Sequence, residues 1–158
     1  KVDYLNHIIN VKSEKDFLEK LESYLQKDDK AFKQFDWWMF SKLDETLDEV
    51  YIPYYSPTEN SMAKFKPDFI FWMQKGNEYI ILFVDPKGTE HTDGYRKIDG
   101  YANIFENKEH RSSKSFPYNG YNIKTKLLLK PGRGIAETLE NYRKYWFDNI
   151  GDFAIKIG

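Results

Sequence analysis

Residues 14–27 return an apolar side chain every three or four positions. Phe17, Leu18, Leu21, Tyr24 and Leu25 share one helical face, and Ser13 stands where an N-cap belongs. Residues 2–11 read as a short strand or irregular lead-in. After a polar stretch over 27–33, residues 35–43 and 50–56 look strand-like, the second rich in β-formers, and are joined through 44–48, with loop composition over 57–62. Residues 65–73 and 79–85 predict two more strands flanking Gly76-Asn77, a favoured hairpin centre. Tyr95, Ile98, Tyr101, Ala102 and Phe105 set a second helix over 93–107. Residues 111–120 read as loop, 121–129 alternate as a strand, 135–150 carry a third helical stripe and 153–157 predict a last short strand. The reading is an α/β fold around one mixed sheet, in the order helix, three strands, helix, strand, with a further C-terminal helix.

The central hairpin raises a chemical question. With Gly76-Asn77 as its centre, Asp68 falls opposite Asp85 and their side chains share a face. Lys87 joins them if the strand continues through Pro86. Ile70, Trp72, Ile81 and Phe83 lie behind on that face, while Phe69, Phe71, Ile80, Leu82 and Val84 lie on the other. Two apolar faces mark a central hairpin. Asp85-Pro86-Lys87-Gly88 alone spells a type I turn, and Lys66-Pro67-Asp68 alone a capped strand end. Yet Gly88 is followed by a helix-entry stretch and not by a returning strand. Two opposed carboxylates at the edge of a core repel each other. A divalent cation reverses that sign, because carboxylate and carbonyl oxygens suit Mg2+ or Mn2+. A neighbouring lysine can then orient or deprotonate an attacking water, or stabilise charge developing on a phosphate.

Composition narrows the choice. The chain has 158 residues, one domain's worth, of which 41% are hydrophobic and 18% aromatic. Its longest apolar runs, 69–73 and 79–84, are far too short for a bilayer, so no membrane is expected. There is no cysteine, which excludes disulfides and thiolate metal sites. The chain opens on Lys1 without an initiator Met or a signal-peptide pattern, and is expected to be a domain excised from a longer protein; a processed terminus would read the same. A net charge of -1 argues against a general electrostatic nucleic-acid binder. Between 108 and 133, however, Lys108, Arg111, Lys114, Lys124, Lys126, Lys130 and Arg133 face only Glu109, either a phosphate track or a solvated face.

The pair Pro67-Asp68 and Asp85-Pro86-Lys87 resembles the signature of the PD-(D/E)XK nuclease superfamily. The wider wording, FSKLDETLDEVYIPYY, FKPDFIFW and FVDPKGTEHTDGYRKIDGY, is similar to the C-terminal endonuclease domain of the restriction (helicase-nuclease) subunit of type III restriction enzymes and related bacterial DEAD/DEAH-box helicases. The likeness runs from about residue 13 to residue 129. It implies a restriction-endonuclease-like core and a Mg2+-dependent endodeoxyribonuclease, Mn2+ serving as well. Asp68, Asp85 and the Pro86 carbonyl are the implied metal ligands and Lys87 the implied catalytic lysine. The superfamily often adds a first-helix glutamate in the pattern Glu-x-x-Phe-Leu, which Glu14 to Leu18 match; Glu45 and Glu22 are rivals for that role. Some branches carry Gln-x-x-x-Tyr on the second helix, where Lys97 and Tyr101 stand here, with lysine in place of glutamine. The implied partners are double-stranded DNA, a helicase motor in the same full-length chain and a methyltransferase/specificity subunit, in the cytoplasm. The rival reading is a catalytically silent nucleic-acid-binding or docking module that keeps the fold.

Other motifs rank lower. His91 with Glu90 and Asp93 reads as a helix-entry loop, and His7 and His110 have no partner pattern. Residues 130–134 lack the Gly-Lys-Ser/Thr ending of a phosphate loop. Trp37, Trp38, Trp72 and Trp146 read as core, although adjacent Trp37 and Trp38 cannot both face inward on one strand.

Overall fold

The computed structural model describes residues 12–43, 46, 49–89, 93–109, 111–131 and 140–158. The lead-in over 2–11 and the start of the third helical stripe, 135–139, lie outside these residues. Helix α1 (Lys12–Lys27) buries Phe17, Leu18 and Leu21, with Tyr24 and Leu25 packed at their margin. Ser13 sits within its first turn and not ahead of it as a cap. The stretch read as polar contains a short helix, α2 (Lys30–Lys33), which anchors through Phe32. That ring lies 4.5 Å from Trp38. One aromatic among charged residues gives no periodicity to read.

Strand β1 (Trp37–Lys42) is followed in chain order by β2 (Ile52–Ser56) and β3 (Ser61–Phe65), and then by β4 (Phe69–Lys75) and β5 (Glu78–Thr89). Helix α3 (Asp93–Phe105) follows, and after it β6 (Phe116–Tyr118) and β7 (Tyr121–Pro131). The main sheet has the order β1-β4-β5-β7-β6. Strand β5 is antiparallel to β4 and parallel to β7, so the sheet is mixed. A parallel neighbour needs a crossover, and α3 supplies it.

Two expectations change here. Strand β2 does not enter the main sheet but pairs with β3 as a separate hairpin, and part of the expected loop 57–62 belongs to β3. The expected loop 111–120 contains edge strand β6, closed on β7 by Asn119-Gly120, both with positive φ (48° and 81°). That is the two-residue turn whose backbone twist suits a hairpin.

The central hairpin has the expected register: Phe69 lies opposite Val84, Ile70 opposite Phe83 and Lys75 opposite Glu78, with Gly76 at φ 60° in the turn. Its two faces are both buried. Phe69, Phe71, Ile80, Leu82 and Val84 pack with Phe17, Leu18 and Leu21 of α1. Ile70 and Phe83 pack on the other side with Ile98 and Tyr101 of α3. Trp38 turns inward, while Trp37 is 38% exposed.

The C-terminal segment departs most from the sequence reading. A 3-10 helix (Glu140–Tyr145) occupies part of the third stripe, and 153–157 are not a strand but part of helix α4 (Ile150–Ile157). The Asn149 side chain accepts the Asp152 N–H at 2.9 Å and caps the helix. Phe153, Ala154 and Ile157 then face the core. Lys126 donates to the carbonyls of Ile157 and Gly158, both at 3.1 Å, at the other end. Among the described residues no helix is long and apolar enough to cross a membrane.

Candidate active site

Asp68 stands one residue before β4, after Pro67, and its carbonyl accepts the Leu43 N–H at 2.8 Å, which ties it to the end of β1. Asp85 lies directly after Val84 on β5, so the next pair outward from Phe69 and Val84 is Asp68 and Asp85. Both are buried, at 1% and 5% exposure. Between Asp85 and Thr89 the ladder to β7 shifts register. Pro86 has no N–H to give that ladder, so the strand bulges there instead of ending. Asp85-Pro86-Lys87-Gly88 is therefore a bulged strand and not a chain-reversing turn. The bulge sets the Lys87 N–H on Asp85 Oδ1 at 3.0 Å and its ammonium 3.2 Å from Asp68 Oδ1.

Glu14 comes in from the first turn of α1 with no exposed surface. Its Oε1 lies 3.7 Å from Lys87 Nζ, and its Oε2 lies 3.3 Å from Lys42 Nζ. The structure thus brings together Glu14, Asp68, Asp85 and Lys87, with the buried Pro86 between the last two in sequence. It adds Lys42, which the sequence reading missed. Lys42 ends β1 opposite Phe69, and a lysine at a strand end ordinarily only reaches for water. No sequence signal separates the two cases, because the β1–β4 pairing spans residues far apart in the chain.

The electrostatics are those of crowded, desolvated acids. Burial pushes the Asp68 carboxyl up to about 7, and the Asp85 charge adds to the effect. Burial also raises Glu14, followed by the charge of Asp68. Both carboxylate oxygens of Glu14 and both of Asp68 are buried without a hydrogen-bond partner. Their compensation is ionic, from Lys42 and Lys87. Buried acceptors are ordinarily satisfied, so this deficit marks a place where a hard cation fits the donor set. Among the described residues, however, no three His, Cys, Asp and Glu side chains stand as a ready-made ion shell. The ammonium groups lie against the carboxylates where a cation would compete with them.

The remaining candidates lie elsewhere. Glu22, partly buried, is eight residues along α1 from Glu14, about 12 Å of helix rise. The Lys97 ammonium stands 5.0 Å from the Phe65 ring centroid. Tyr101 is fully buried, its hydroxyl 2.8 Å from Thr125 Oγ1, so it serves the core. Glu45, Glu90, His91, His7, His110 and Arg133 lie outside the described residues. The basic run is partly engaged: Lys124 pairs with Glu78 at 2.7 Å, Lys114 donates to the Ile104 carbonyl at 3.1 Å, and Lys126 caps α4.

Residues 5–116 match the model of the YagJ family, a span that includes Glu14, Lys42, Asp68, Asp85 and Lys87. No curated protein and no solved structure matches the chain.

Proposed function

The chain belongs to the YagJ family, and from the cluster inside the matched span we propose a metal-dependent endonuclease domain that hydrolyses phosphodiester bonds of double-stranded DNA. The observation that carries this reading is the opposed, buried pair Asp68 and Asp85, with Lys87 held beside both and the Asp68 oxygens lacking hydrogen bonds. A structural core does not gather such groups without cost. The order of α1, the antiparallel run β1-β4-β5, helix α3 and parallel β7 supports a restriction-endonuclease-like core, with β2–β3 as an insertion and β6 as an added edge.

Asp68, Asp85 and the Pro86 carbonyl would hold Mg2+ or Mn2+. Such an ion supplies Lewis-acid stabilisation of phosphate charge and an acidified water. Lys87 is the group placed to orient the attacking water or to stabilise charge on the phosphate oxygens. Glu14 holds Lys87 on its other side, and Lys42 in turn compensates Glu14, so the lysine does not depend on Asp68 alone for its position. The burial of the acids strengthens every one of these interactions. A helicase motor in the same full-length chain, a methyltransferase/specificity subunit and a cytoplasmic setting belong to this proposal.

One observation favours a second reading. Lys42 and Lys87 already compensate the acids, as in a domain that keeps the fold for binding or docking without cleaving. Nicking of supercoiled plasmid in Mg2+ or Mn2+ separates the two. Metal-dependent nicking by the wild type that disappears in both Asp68→Asn and Lys87→Ala supports the nuclease. Absence of nicking by the full-length protein with either metal rejects it in favour of the silent module.

A further inference from the structure

A cavity of about 640 Å3 opens between the β2–β3 hairpin and the outer side of α3, and none of the five residues of the carboxylate–lysine cluster lines it. Its floor follows from helical spacing. Arg96, Gly100 and Asn103 share one face of α3, while Ile98, Tyr101 and Phe105 face the core. Gly100 lets the hairpin approach, since a Cβ there would collide with the Pro53 carbonyl oxygen and stand 2.8 Å from Tyr54 Cβ. One wall is the hairpin, with Tyr55 and Met62 45% and 65% exposed. The other wall is Arg111 and Tyr142.

The lining carries a cationic surplus. Arg96, Lys108 and Arg111 are set against Asp99, which already accepts the Tyr142 hydroxyl at 2.8 Å. Arg111 is held in place and still partly open. Its guanidinium lies 4.9 Å from the Tyr142 ring centroid, Nη2 is 3.7 Å from Asp99 Oδ1, and the side chain is 37% exposed where it lines the groove. A planar guanidinium fixed by an aromatic ring and partly exposed suits a phosphate. The exposed tyrosine ring and thioether opposite it suit a flat heterocycle, a surface that a bare anion would not use. The volume falls within the ~300–1,000 Å3 of sites for small ligands.

We propose that this groove binds a nucleoside phosphate, with the phosphate on the Arg96, Lys108 and Arg111 side and the base against Tyr55 and Met62. Two sources share that chemistry, a free nucleotide and one unit of a single strand. The proposal does not rest on the nuclease reading, because it concerns a separate cavity and requires no hydrolysis.

The test is binding by the full chain in chelator, using a fluorescein-labelled 12-residue oligothymidine in polarisation and dTMP in calorimetry. Two variants avoid the core: Asn103→Trp, from an exposed helix position, fills the groove, and Arg96→Glu inverts one exposed charge. Each is expected to weaken binding by roughly tenfold or more with its melting temperature unchanged. Binding of the oligonucleotide alone assigns the groove to single strands, and binding of both probes assigns it to the nucleotide unit. Binding of neither probe overturns the proposal, as does unchanged affinity in both variants. Displacement of the oligonucleotide by an equally tight polyglutamate peptide also overturns it, since the groove would then read charge alone.

Discussion

Replacing Asp68 with asparagine should stabilise the metal-free protein at neutral pH. The folded state raises this carboxyl from its ordinary 3.8 to about 7, chiefly through burial. A raised acid binds its proton more tightly when folded than when unfolded. The group's stabilising contribution is therefore complete below pH ~4 and is lost as pH rises through about 7. At 1.36 kcal/mol per pH unit, ionised Asp68 costs the fold on the order of 4 kcal/mol at pH 8. Asparagine imitates the protonated form at every pH. For a domain of this size 1 kcal/mol moves the melting temperature by roughly 2–4 °C, so the variant should melt on the order of 10 °C above wild type at pH 8 and close to it at pH 4. The assay is calorimetry in chelator at pH 4, 6 and 8. Saturating Mg2+ should then close the gap from the wild-type side, by about 2.7 kcal/mol at a hundredfold excess over Kd, and leave the variant unmoved. A variant that melts below wild type at pH 8, or a metal shift equal in both proteins, would refute the reasoning. Asp68 would then be a strand-end residue whose pairing with Lys87 outweighs its desolvation.

Three further outcomes are expected. Lys87→Ala should lower cleavage by roughly a hundredfold or more while a Mg2+-induced melting shift persists, because in the proposed reaction the lysine acts on charge at the phosphate and not on the ion; near-wild-type turnover would remove it from the chemistry. Gly100→Ala should lower the melting temperature by the equivalent of about 1–3 kcal/mol of overpacking, reduced by the better helix propensity of alanine, since the atoms it meets belong to β2 and not to a flexible side-chain end. A melting temperature at or above wild type would show that the hairpin does not press on α3. Asn149→Ala should cost about 1 kcal/mol through loss of the α4 cap, read as a lower denaturant midpoint at unchanged slope; no change would mean that Phe153 and Ile157 hold α4 without it.

The sequence by itself determined what rests on local periodicity. Phe17 to Leu25 fixed α1, and Tyr95 to Phe105 fixed α3. Gly76-Asn77 fixed the hairpin, because a turn that needs positive φ sets the register and with it the opposition of Asp68 and Asp85. Segments too short or too weakly patterned to reveal a period were decided by their surroundings. The run 153–157 is short enough to pass for a strand, and becomes a helix because Asn149 caps it and Lys126 reaches its end from β7. Strand β2 reads as a member of the main sheet, yet it pairs with β3 and leans on Gly100. The site divides in the same way. Its acids were legible because two opposed carboxylates at a core edge need a reason. The burial of Glu14 against Lys87 and the arrival of Lys42 required the packing of α1 on the sheet and the pairing of β1 with β4. Those contacts join residues distant in sequence, and no local pattern encodes their distance or their burial, which set the charge balance of the cluster.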